Sequence, residues 1–374
     1  MIIAAGRVVT PARVFAPGWV HVQGDTVADA GPGAPPRPAD VELPAATIVP
    51  GYVDVHVHGG GGASFDEGTA DAAETVLAAH LAHGTTTMVA SLVTMAPAVL
   101  DRTIAELVGL ADDGRLAGLH LEGPWLSPEH AGAHEPGLLD VPKPDRIDAL
   151  VEAGRGHLRM VTLAPELDGG LDAVRRLTAA GVVAAIGHTD ATYDVARAAL
   201  DAGAGVGTHL FNAMRGLKHR EPGPVAALLE HPDAYVELIA DGVHLHPAVL
   251  RLAAAAKPHL TTLVTDAMAA AAASDGSYRL GSMAVEVHDG VARLTDGGAI
   301  AGSTLTLAGA VRYAVHVAGM PIEDVVRAAT ATPAAMLGLE RVGALRPGYL
   351  ADLVVLDEAL EVRRVMRHGR WVAP

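Results

Sequence analysis

Apolar, strand-like segments of this chain repeatedly end on a histidine or a carboxylate. Five such segments cover residues 48–58, 116–122, 182–188, 206–214 and 260–268. The polar residues at or near their ends are His56, His58, Glu122, His188, His209 and Asp266. Strands of a parallel sheet that is buried on both faces read as continuous apolar runs. Since the carboxyl ends of such strands lie together, these six side chains are expected to converge.

Strand-like and helix-like segments alternate between residues 50 and 340. They number eight strands, each followed by a helix, and a β-like insertion at 278–298 precedes the last helices. This pattern predicts an α/β fold, a (β/α)8 TIM barrel spanning 50–340. Residues 1–49 and 341–374 read as short strands. Because chain termini often lie close together, we expect them to form a small β-sandwich domain.

Composition limits the classes of partner and the location. The 43 acidic and 27 basic residues give a net charge of −16, which argues against a nucleic-acid partner and against an anionic membrane surface. The chain contains no cysteine, so thiolate ligands and disulfides are excluded. The amino terminus lacks a signal-peptide pattern, and no apolar run approaches a membrane span. The sequence therefore predicts a soluble cytoplasmic protein.

The strand-end residues include the donor set of a metal that activates water. Glu122, His188 and His209 supply one carboxylate and two imidazoles, as in catalytic zinc-type sites that keep a position open for water. Zn, Fe, Mn and Co all accept such ligands. His56 and His58 are two residues apart on a strand and point to the same face. Each histidine also has a simpler interpretation as a packed residue, and Glu122 as a carboxylate in water.

Several other polar residues could take part in chemistry. Asp266 could accept a proton from a bound water, or could cap a helix. His134 could polarise a carbonyl, and Asn212 could hydrogen-bond a sugar hydroxyl. The basic cluster at 218–220 could bind an anion through Arg220, or could be a solvated loop.

The chain resembles the N-acetylglucosamine-6-phosphate deacetylases of the amidohydrolase superfamily. The stretches that carry the resemblance are PGYVDVHVHGGGG, HLEGPWLSPEHAGAHEPG, IGHTDA, THLFNAM with REPG, IADGVHLHP, LVTDAMAA and AGSTLTL, followed by ATPAAMLGL and GALRPGYLADLVVLD. They extend over nearly the whole chain. The resemblance implies a metal-dependent hydrolase that removes the acetyl group of N-acetylglucosamine 6-phosphate, giving glucosamine 6-phosphate and acetate.

The resemblance also implies a role for each matched residue. Glu122, His188 and His209 would hold the main metal, and His56 and His58 a second ion where one is bound. Zn is the expected metal. Asp266 would be the general base and acid, and His134 would stabilise the oxyanion. Substrate contacts would come from Asn212, the backbone of Ala213, His244 and Arg220, the last reaching the phosphate from the neighbouring subunit of a homodimer.

Two other activities and one non-catalytic alternative fit the residues less well. A related amidohydrolase could act on N-acetylgalactosamine 6-phosphate, since Arg220 and His244 do not distinguish sugar epimers. An N-acyl-amino-acid hydrolase is a further alternative. A non-catalytic scaffold on this barrel would be expected to lose ligands or the acid/base residue, whereas Glu122 and Asp266 are both present. Strand four contains no lysine, which separates the chain from amidohydrolases that use a carboxylated lysine.

Overall fold

The amino-terminal segment consists of strands. A computed structural model describes residues 1–372. The first strands are β1 (Ile2–Val9), β2 (Val14–Phe15), β3 (Gly18–Gln23), β4 (Thr26–Pro32) and β5 (Val41–Pro50). The barrel begins directly afterwards with β6 (Tyr52–Val57), in which every residue is buried. The apolar run at 48–58 is therefore divided between two sheets. It turns at Gly51, where an added Cβ would lie 2.1 Å from Thr86 Oγ1.

Eight parallel strands form the predicted barrel. A short hairpin of β7 (Gly59–Gly60) and β8 (Ala63–Ser64) follows the first barrel strand. The other seven barrel strands are β9 (Thr85–Leu92), β10 (Gly118–Glu122), β11 (Leu158–Leu163), β12 (Val183–Ile186), β13 (Val206–Gly207), β14 (Tyr235–Ile239) and β15 (Thr261–Val264). They pair in sequence order, and a bridge from Val57 to Ala267 brings the last strand back to the first. The TIM-barrel prediction is confirmed.

Helices alternate with the barrel strands. They are α1 (Ala70–Ala82), α2 (Pro97–Asp112), α3 (Pro144–Ala153), α4 (Gly170–Ala179), α5 (Tyr193–Asp201), α6 (Gly223–Glu230) and α7 (Pro247–Ala256). Thr69 and Thr192 cap α1 and α5 by accepting backbone N–H hydrogen bonds, while α2, α3 and α7 carry a proline in their first turn. Within residues 1–372, no helix has both the length and the apolarity needed to cross a membrane.

A small sheet interrupts the alternation after β15. The predicted insertion is an antiparallel sheet of β16 (Gly276–Leu280), β17 (Met283–His288) and β18 (Val291–Leu294). The last helices are α8 (Leu307–His316), α9 (Ile322–Ala328) and α10 (Ala331–Met336). Leu280, at the turn between β16 and β17, is buried in an apolar cluster beneath the insertion.

The two ends of the chain share one sheet. The final strands are β19 (Leu353–Leu356), β20 (Val362–Arg367) and β21 (Arg370–Val372), and β19 pairs antiparallel with β5. All eight terminal strands belong to a single hydrogen-bonded sheet, because β1 pairs with both β3 and β5. Neighbouring residues alternate between two cores: Ile48 packs within the small domain and Val49 against the barrel. The boundaries at 49/50 and 340/341 stay a prediction.

The barrel interior is apolar at one level and polar at another. Seven of the strands and α10 contribute to one buried apolar cluster that includes Val53, Val89 and Met160, so it lies inside the barrel. A chain of hydrogen bonds links polar side chains: Ser91 Oγ to His120 Nδ1 at 2.9 Å, and His120 Nε2 to Thr162 Oγ1 at 2.8 Å. Most buried polar groups in folded proteins are paired in this way.

The sixth barrel strand is shorter than the sequence indicates. The apolar run at 206–214 reads as one strand, but β13 ends at Gly207. The reason is the backbone of the residues that follow, since His209, Phe211 and Ala213 have φ values of 28°, 80° and 45°. Extended strands require negative φ. The segment instead turns tightly at the carboxyl end of the barrel.

Candidate metal centre

The side chains of Glu122, His188 and His209 meet at the carboxyl end of the barrel. Glu122 Oε1 lies 3.1 Å from His188 Nε2 and 2.9 Å from His209 Nε2. The two Nε2 atoms are 3.1 Å apart, and all three residues are buried. The carboxylate is therefore not the solvated strand end that one interpretation of the sequence allowed. Three shielded donor atoms about 3 Å apart have the spacing of ligands around an ion with bonds of about 2.0–2.2 Å.

A second group of donors shares Glu122. Its other oxygen, Oε2, lies 3.2 Å from His58 Nε2 and 3.6 Å from His56 Nε2. Asp266 Oδ1 lies 3.3 Å and 3.5 Å from the same two nitrogens, and the four side chains form a buried cluster that could hold an ion. The two oxygens of Glu122 therefore face different donor groups. A carboxylate placed in this way could bridge two metal ions.

Hydrogen bonds at the far ring nitrogens orient two of the imidazoles. His188 Nδ1 donates to the carbonyl oxygen of His130 at 2.8 Å, and His56 Nδ1 donates to the carboxylate of Glu237 at 3.0 Å. A neutral ring that carries its proton on Nδ1 has a lone pair on Nε2. Both lone pairs then point into the donor groups. Metal-binding histidines commonly donate a hydrogen bond from the other ring nitrogen to a carboxylate or carbonyl in this way. The residues fit a divalent metal.

Charge within the cluster also favours a cation. Burial raises the pKa of Glu122, but the charges of His56 and His188 hold that pKa well below its ordinary value. Burial lowers the pKa of His58, but hydrogen bonds to Asp266 and Glu122 raise it to about 9. The carboxylates thus favour positive charge at this position. A divalent ion displaces protons from such ligands when it binds.

Asp266 lies two residues beyond β15. Its N–H donates to the carbonyl of His56 at 2.9 Å, and its carbonyl accepts from the N–H of Ser303 at 2.7 Å. Among the described residues, the next helix after this position begins at Leu307, so Asp266 is not a helix cap. Burial raises its pKa, but the charge of His56 and a hydrogen bond from His58 lower it below its usual range. The neighbouring positive charge thus favours the ionised form of this carboxylate, which faces the group of metal donors.

Four residues at or beside the donor atoms have left-handed backbone conformations. His188, His209, Ala213 and Asp266 have φ values of 46°, 28°, 45° and 50°. Each such conformation costs a non-glycine residue about 1–3 kcal/mol, and it persists only where the surroundings impose it. The barrel strands and their connections fix these positions, so side chains of the site are held at set angles.

A cavity of about 340 Å³ opens over the donor atoms. Asn212 and His244 line it. Asn212 Nδ2 donates to the carbonyl of His209 at 3.0 Å, which leaves its amide oxygen free to accept. His244 Nδ1 donates to Asp241 at 2.6 Å, which leaves Nε2 for a ligand. Gly132, Ala133, Ala213, Leu280, Ile300 and Gly302 contribute its apolar walls.

His134 lies in the cavity as a neutral hydrogen-bond donor. Its Nδ1 accepts the backbone N–H of Thr94 at 3.2 Å, so the ring proton is on Nε2. Nε2 is 3.4 Å from Glu122 Oε2. Burial lowers the pKa of His134 to about 4 and keeps the ring uncharged near neutral pH. The geometry allows this N–H to donate a hydrogen bond to an oxygen that gains negative charge beside the metal-donor residues.

The structure leaves Arg220 outside the cavity of its own chain. Arg220 is exposed, as are Lys218 and His219, and Lys218 pairs with Glu221 at 3.3 Å. Within the described part of the chain, no lysine or arginine lines the cavity. In the single chain the cluster at 218–220 is a solvated loop, and its role in a partner's site stays a prediction.

Two residues that contact the metal-donor residues were not identified from the sequence. Glu237, within β14, contacts His56, and the carbonyl of His130 orients His188. Glu237 carries a signal that could have revealed it, namely a carboxylate in the middle of the apolar run YVELIA. His130 carries none, because its carbonyl acts, and not its side chain.

Known proteins match this chain over most of its length. Residues 47–372 match the Amidohydrolase family. The chain belongs to the amidohydrolase family. It is 40% identical over 344 residues to an N-acetylgalactosamine-6-phosphate deacetylase of Escherichia coli O157:H7, covering 90% of each chain. It is 37% identical over 342 residues to an N-acetylglucosamine-6-phosphate deacetylase of Vibrio furnissii, covering 90% of this chain and 86% of the relative.

A solved structure shows the same fold over the whole length of this chain. It is a mutant N-acetyl-D-glucosamine-6-phosphate deacetylase from Mycobacterium smegmatis in complex with N-acetyl-D-glucosamine-6-phosphate. The two chains are 49% identical, with a TM-score of 0.98, and the match covers 100% of this chain and 99% of that one. The barrel and the terminal sheet are therefore common to both proteins.

Proposed function

We propose that this protein is a metal-dependent deacetylase that hydrolyses the N-acetyl group of N-acetylglucosamine 6-phosphate. The products are glucosamine 6-phosphate and acetate. One observation carries the proposal: the carboxylate of Asp266 adjoins a buried cluster of metal donors at the base of a cavity. Similarity to deacetylases of phosphorylated amino sugars supports the choice of substrate.

Glu122, His188 and His209 would hold one divalent ion, and His56, His58 and Glu122 a second. A bound ion would lower the pKa of water and polarise the amide carbonyl. Zn is the expected metal, and Fe, Mn and Co suit the same ligands. A cytoplasmic location stays a prediction.

The residues of the cavity divide the remaining chemistry. Asp266 accepts a proton as water attacks the acetyl carbonyl carbon, and a C–O bond forms. His134 donates its Nε2–H to the carbonyl oxygen as that oxygen becomes negative, a contribution of about 3–4 kcal/mol for one well-placed donor. Asp266 then delivers the proton to the amide nitrogen, and the C–N bond breaks. Without that proton the amine is a poor leaving group.

Asn212, the backbone of Ala213 and His244 would orient the sugar. Asn212 offers its amide oxygen to a hydroxyl group. Since the cavity walls lack a lysine or arginine among the described residues, the phosphate requires a cation from elsewhere. Arg220 of a second subunit would supply it through a planar, bidentate contact. This arrangement makes a homodimer the proposed functional unit.

A second candidate substrate is N-acetylgalactosamine 6-phosphate. A relative at 40% identity bears the name of the deacetylase for that sugar. The two substrates differ only in the configuration at C4. They require the same metal centre, the same acid/base residue and the same phosphate contact, so the proposed mechanism holds for either.

Acetate release across a substrate panel tests the proposal. The panel comprises both N-acetylhexosamine 6-phosphates, their unphosphorylated forms and N-acetyl amino acids, assayed after metal analysis of the same preparation. We expect the highest kcat/KM with N-acetylglucosamine 6-phosphate and a large loss without the phosphate. Greater activity on the galactosamine derivative would select the second candidate. Absence of acetate release from every phosphorylated sugar in metal-loaded protein would contradict both.

A further inference from the structure

Glu237 lies next to the metal-donor residues, on the side of His56 that faces away from the other donors. It lies in the middle of β14 and is fully buried. One oxygen, Oε2, accepts from His56 Nδ1 at 3.0 Å and from the backbone N–H of His209 at 3.2 Å. The other, Oε1, has no hydrogen-bond partner in the part of the chain that the structure describes. A buried carboxylate with so few partners is costly unless nearby positive charge compensates for it.

The contact with His56 gives Glu237 a direct effect on one donor group. A carboxylate behind an imidazole fixes the proton on Nδ1, turns the ring and increases the basicity of Nε2. His56 belongs to the donor group with His58 and Asp266, not to the group with His188 and His209. The corresponding hydrogen bond of His188 goes to a neutral carbonyl, that of His130. Of these two rings, only His56 therefore has an anion behind it.

Charge balance also favours the binding of a second divalent ion. Glu122, Asp266 and Glu237 place three carboxylates around the cluster. With one divalent ion and neutral imidazoles, a negative charge would remain uncompensated in a buried site. A second divalent ion removes that excess, and the small positive charge that results suits an anionic ligand. Without the charge of Glu237, one ion would be sufficient for neutrality.

We propose that Glu237 is a positioning residue that selects two-ion occupancy by strengthening the His56/His58 site. It acts through His56 and does not touch a substrate. The inference deepens the proposed function because it concerns the same metal centre. Its test depends on metal binding alone, so it can fail while the deacetylase activity is present, and the reverse is also true.

The test compares two isosteric substitutions of buried carboxylates. Glu237→Gln removes the charge behind His56. Asp54→Asn is the control. Asp54 is also fully buried and lies on the strand that carries His56, but it binds Thr265 Oγ1 at 2.6 Å and the backbone N–H of His56 at 3.4 Å, not the imidazole ring. Both variants and the wild-type chain are titrated with Zn²⁺ against a competing chelator, and bound metal is counted after dialysis.

We expect two ions in the wild-type chain and in Asp54→Asn. Glu237→Gln should retain the first ion, and the Kd of the second should rise about 10- to 100-fold, as for other residues behind metal ligands. In a His56→Asn background, Glu237→Gln should cause no further loss of metal. Should Glu237→Gln fail to fold, as judged by circular dichroism, Glu237→Asp tests the hydrogen bond to His56 instead of the charge. It keeps the charge but shortens the side chain, and the second ion should again weaken selectively.

Three results would overturn the inference. Glu237→Gln could bind the second ion as tightly as the wild-type chain does. It could weaken both ions equally, which would show a general structural role through the backbone of His209. Asp54→Asn could weaken the second ion to the same extent, which would show that any buried carboxylate of this region has the effect.

Discussion

Asp266 Oδ1 lies 3.3 Å from Nε2 of His58, so the proposed proton acceptor adjoins the His56/His58 donor group. The other donor group, formed by Glu122 Oε1, His188 and His209, is complete without Asp266. Loss of the acid/base function and loss of the first metal ion should therefore be separable.

Asp266→Asn should reduce kcat by at least about 10²-fold, because the amide cannot accept the proton of the attacking water. Size and polarity are preserved, so the ion at Glu122, His188 and His209 should remain. Acetate release and metal analysis of the same samples provide the measurement. Near-normal turnover of Asp266→Asn would rule out the mechanism.

His134→Asn should reduce kcat by about 10²- to 10³-fold with a smaller change in KM, because the lost N–H acts mainly when the oxyanion forms. The matched control is Thr94→Val, which removes the hydroxyl 3.0 Å from His134 Nδ1 but retains the backbone N–H that fixes the tautomer of His134. Steady-state kinetics of both variants should show a much smaller effect for the control. Equal losses would instead indicate that the Thr94 hydroxyl, which lies 3.0 Å from His134 Nδ1, contributes as much as the Nε2–H of His134, and would contradict a specific oxyanion role for that N–H.

Replacement of His56 by Gln and His58 by Asn should lower the metal content by one ion and leave part of the activity. The reason is that Glu122 Oε1, His188 and His209 still form a donor group by themselves. Inductively coupled plasma mass spectrometry gives the count, and the wild-type chain prepared in parallel is the reference. If the double variant contains no metal, the primary site has been assigned to the wrong residues.

The metal donors could be predicted from the sequence because barrel geometry brings strand ends together. His56, Glu122 and His188 are far apart along the chain, yet each ends an apolar run, and a parallel barrel places such ends at one rim. The structure also resolves alternatives that local sequence left open. Asp266 is not a helix cap, and Glu122 is not solvated, since both side chains face the same buried cluster.

Contacts that depend on side-chain direction or backbone torsion could not be predicted. Glu237 binds His56 across 181 positions of sequence, and nothing near either residue specifies that pairing. The early end of β13 follows from left-handed torsions at His209 and Ala213, and residues other than glycine adopt such angles in only a few per cent of cases. Leu280 lines the cavity because it lies at the end of β16 in the inserted sheet, and the sequence does not specify where that sheet packs.

His80 should make the protein less stable in mild acid. It is fully buried in α1, its Nε2 donates to the carbonyl of Gly59 at 2.9 Å, and burial lowers its pKa to about 4. Between the unfolded pKa near 6.5 and the folded value, only the unfolded state binds the proton. Stability is therefore complete above about pH 6.5 and declines as the pH falls toward 4.

The variant His80→Gln keeps a donor for the Gly59 carbonyl but does not titrate. The loss in free energy of unfolding between pH 7 and pH 4.5 should be about 2–3 kcal/mol smaller than in the wild-type chain. Urea denaturation at both pH values measures the difference. His219→Gln, an exposed position, is the control and should follow the wild-type curve. The same pH dependence in His80→Gln and wild type would contradict the assignment.

Arg220 gives the sharpest test of the proposed dimer. Arg220→Ala should raise KM strongly for N-acetylglucosamine 6-phosphate and little for N-acetylglucosamine, because only the phosphate contact is lost. If Arg220 serves a partner's cavity, mixing Asp266→Asn chains with Arg220→Ala chains should restore activity. One site of each heterodimer then combines Asp266 from one chain with Arg220 from the other.

The mixing experiment requires proof that subunits exchange, for example by mass spectrometry of differently tagged chains. Activity of the mixture should rise well above that of either parent. If Arg220 instead acts in its own chain, every site of the heterodimer lacks either the proton acceptor or the phosphate contact. No recovery despite exchange would then place the phosphate contact within one subunit, and the exposed loop at 218–220 would have to move toward the cavity to make it.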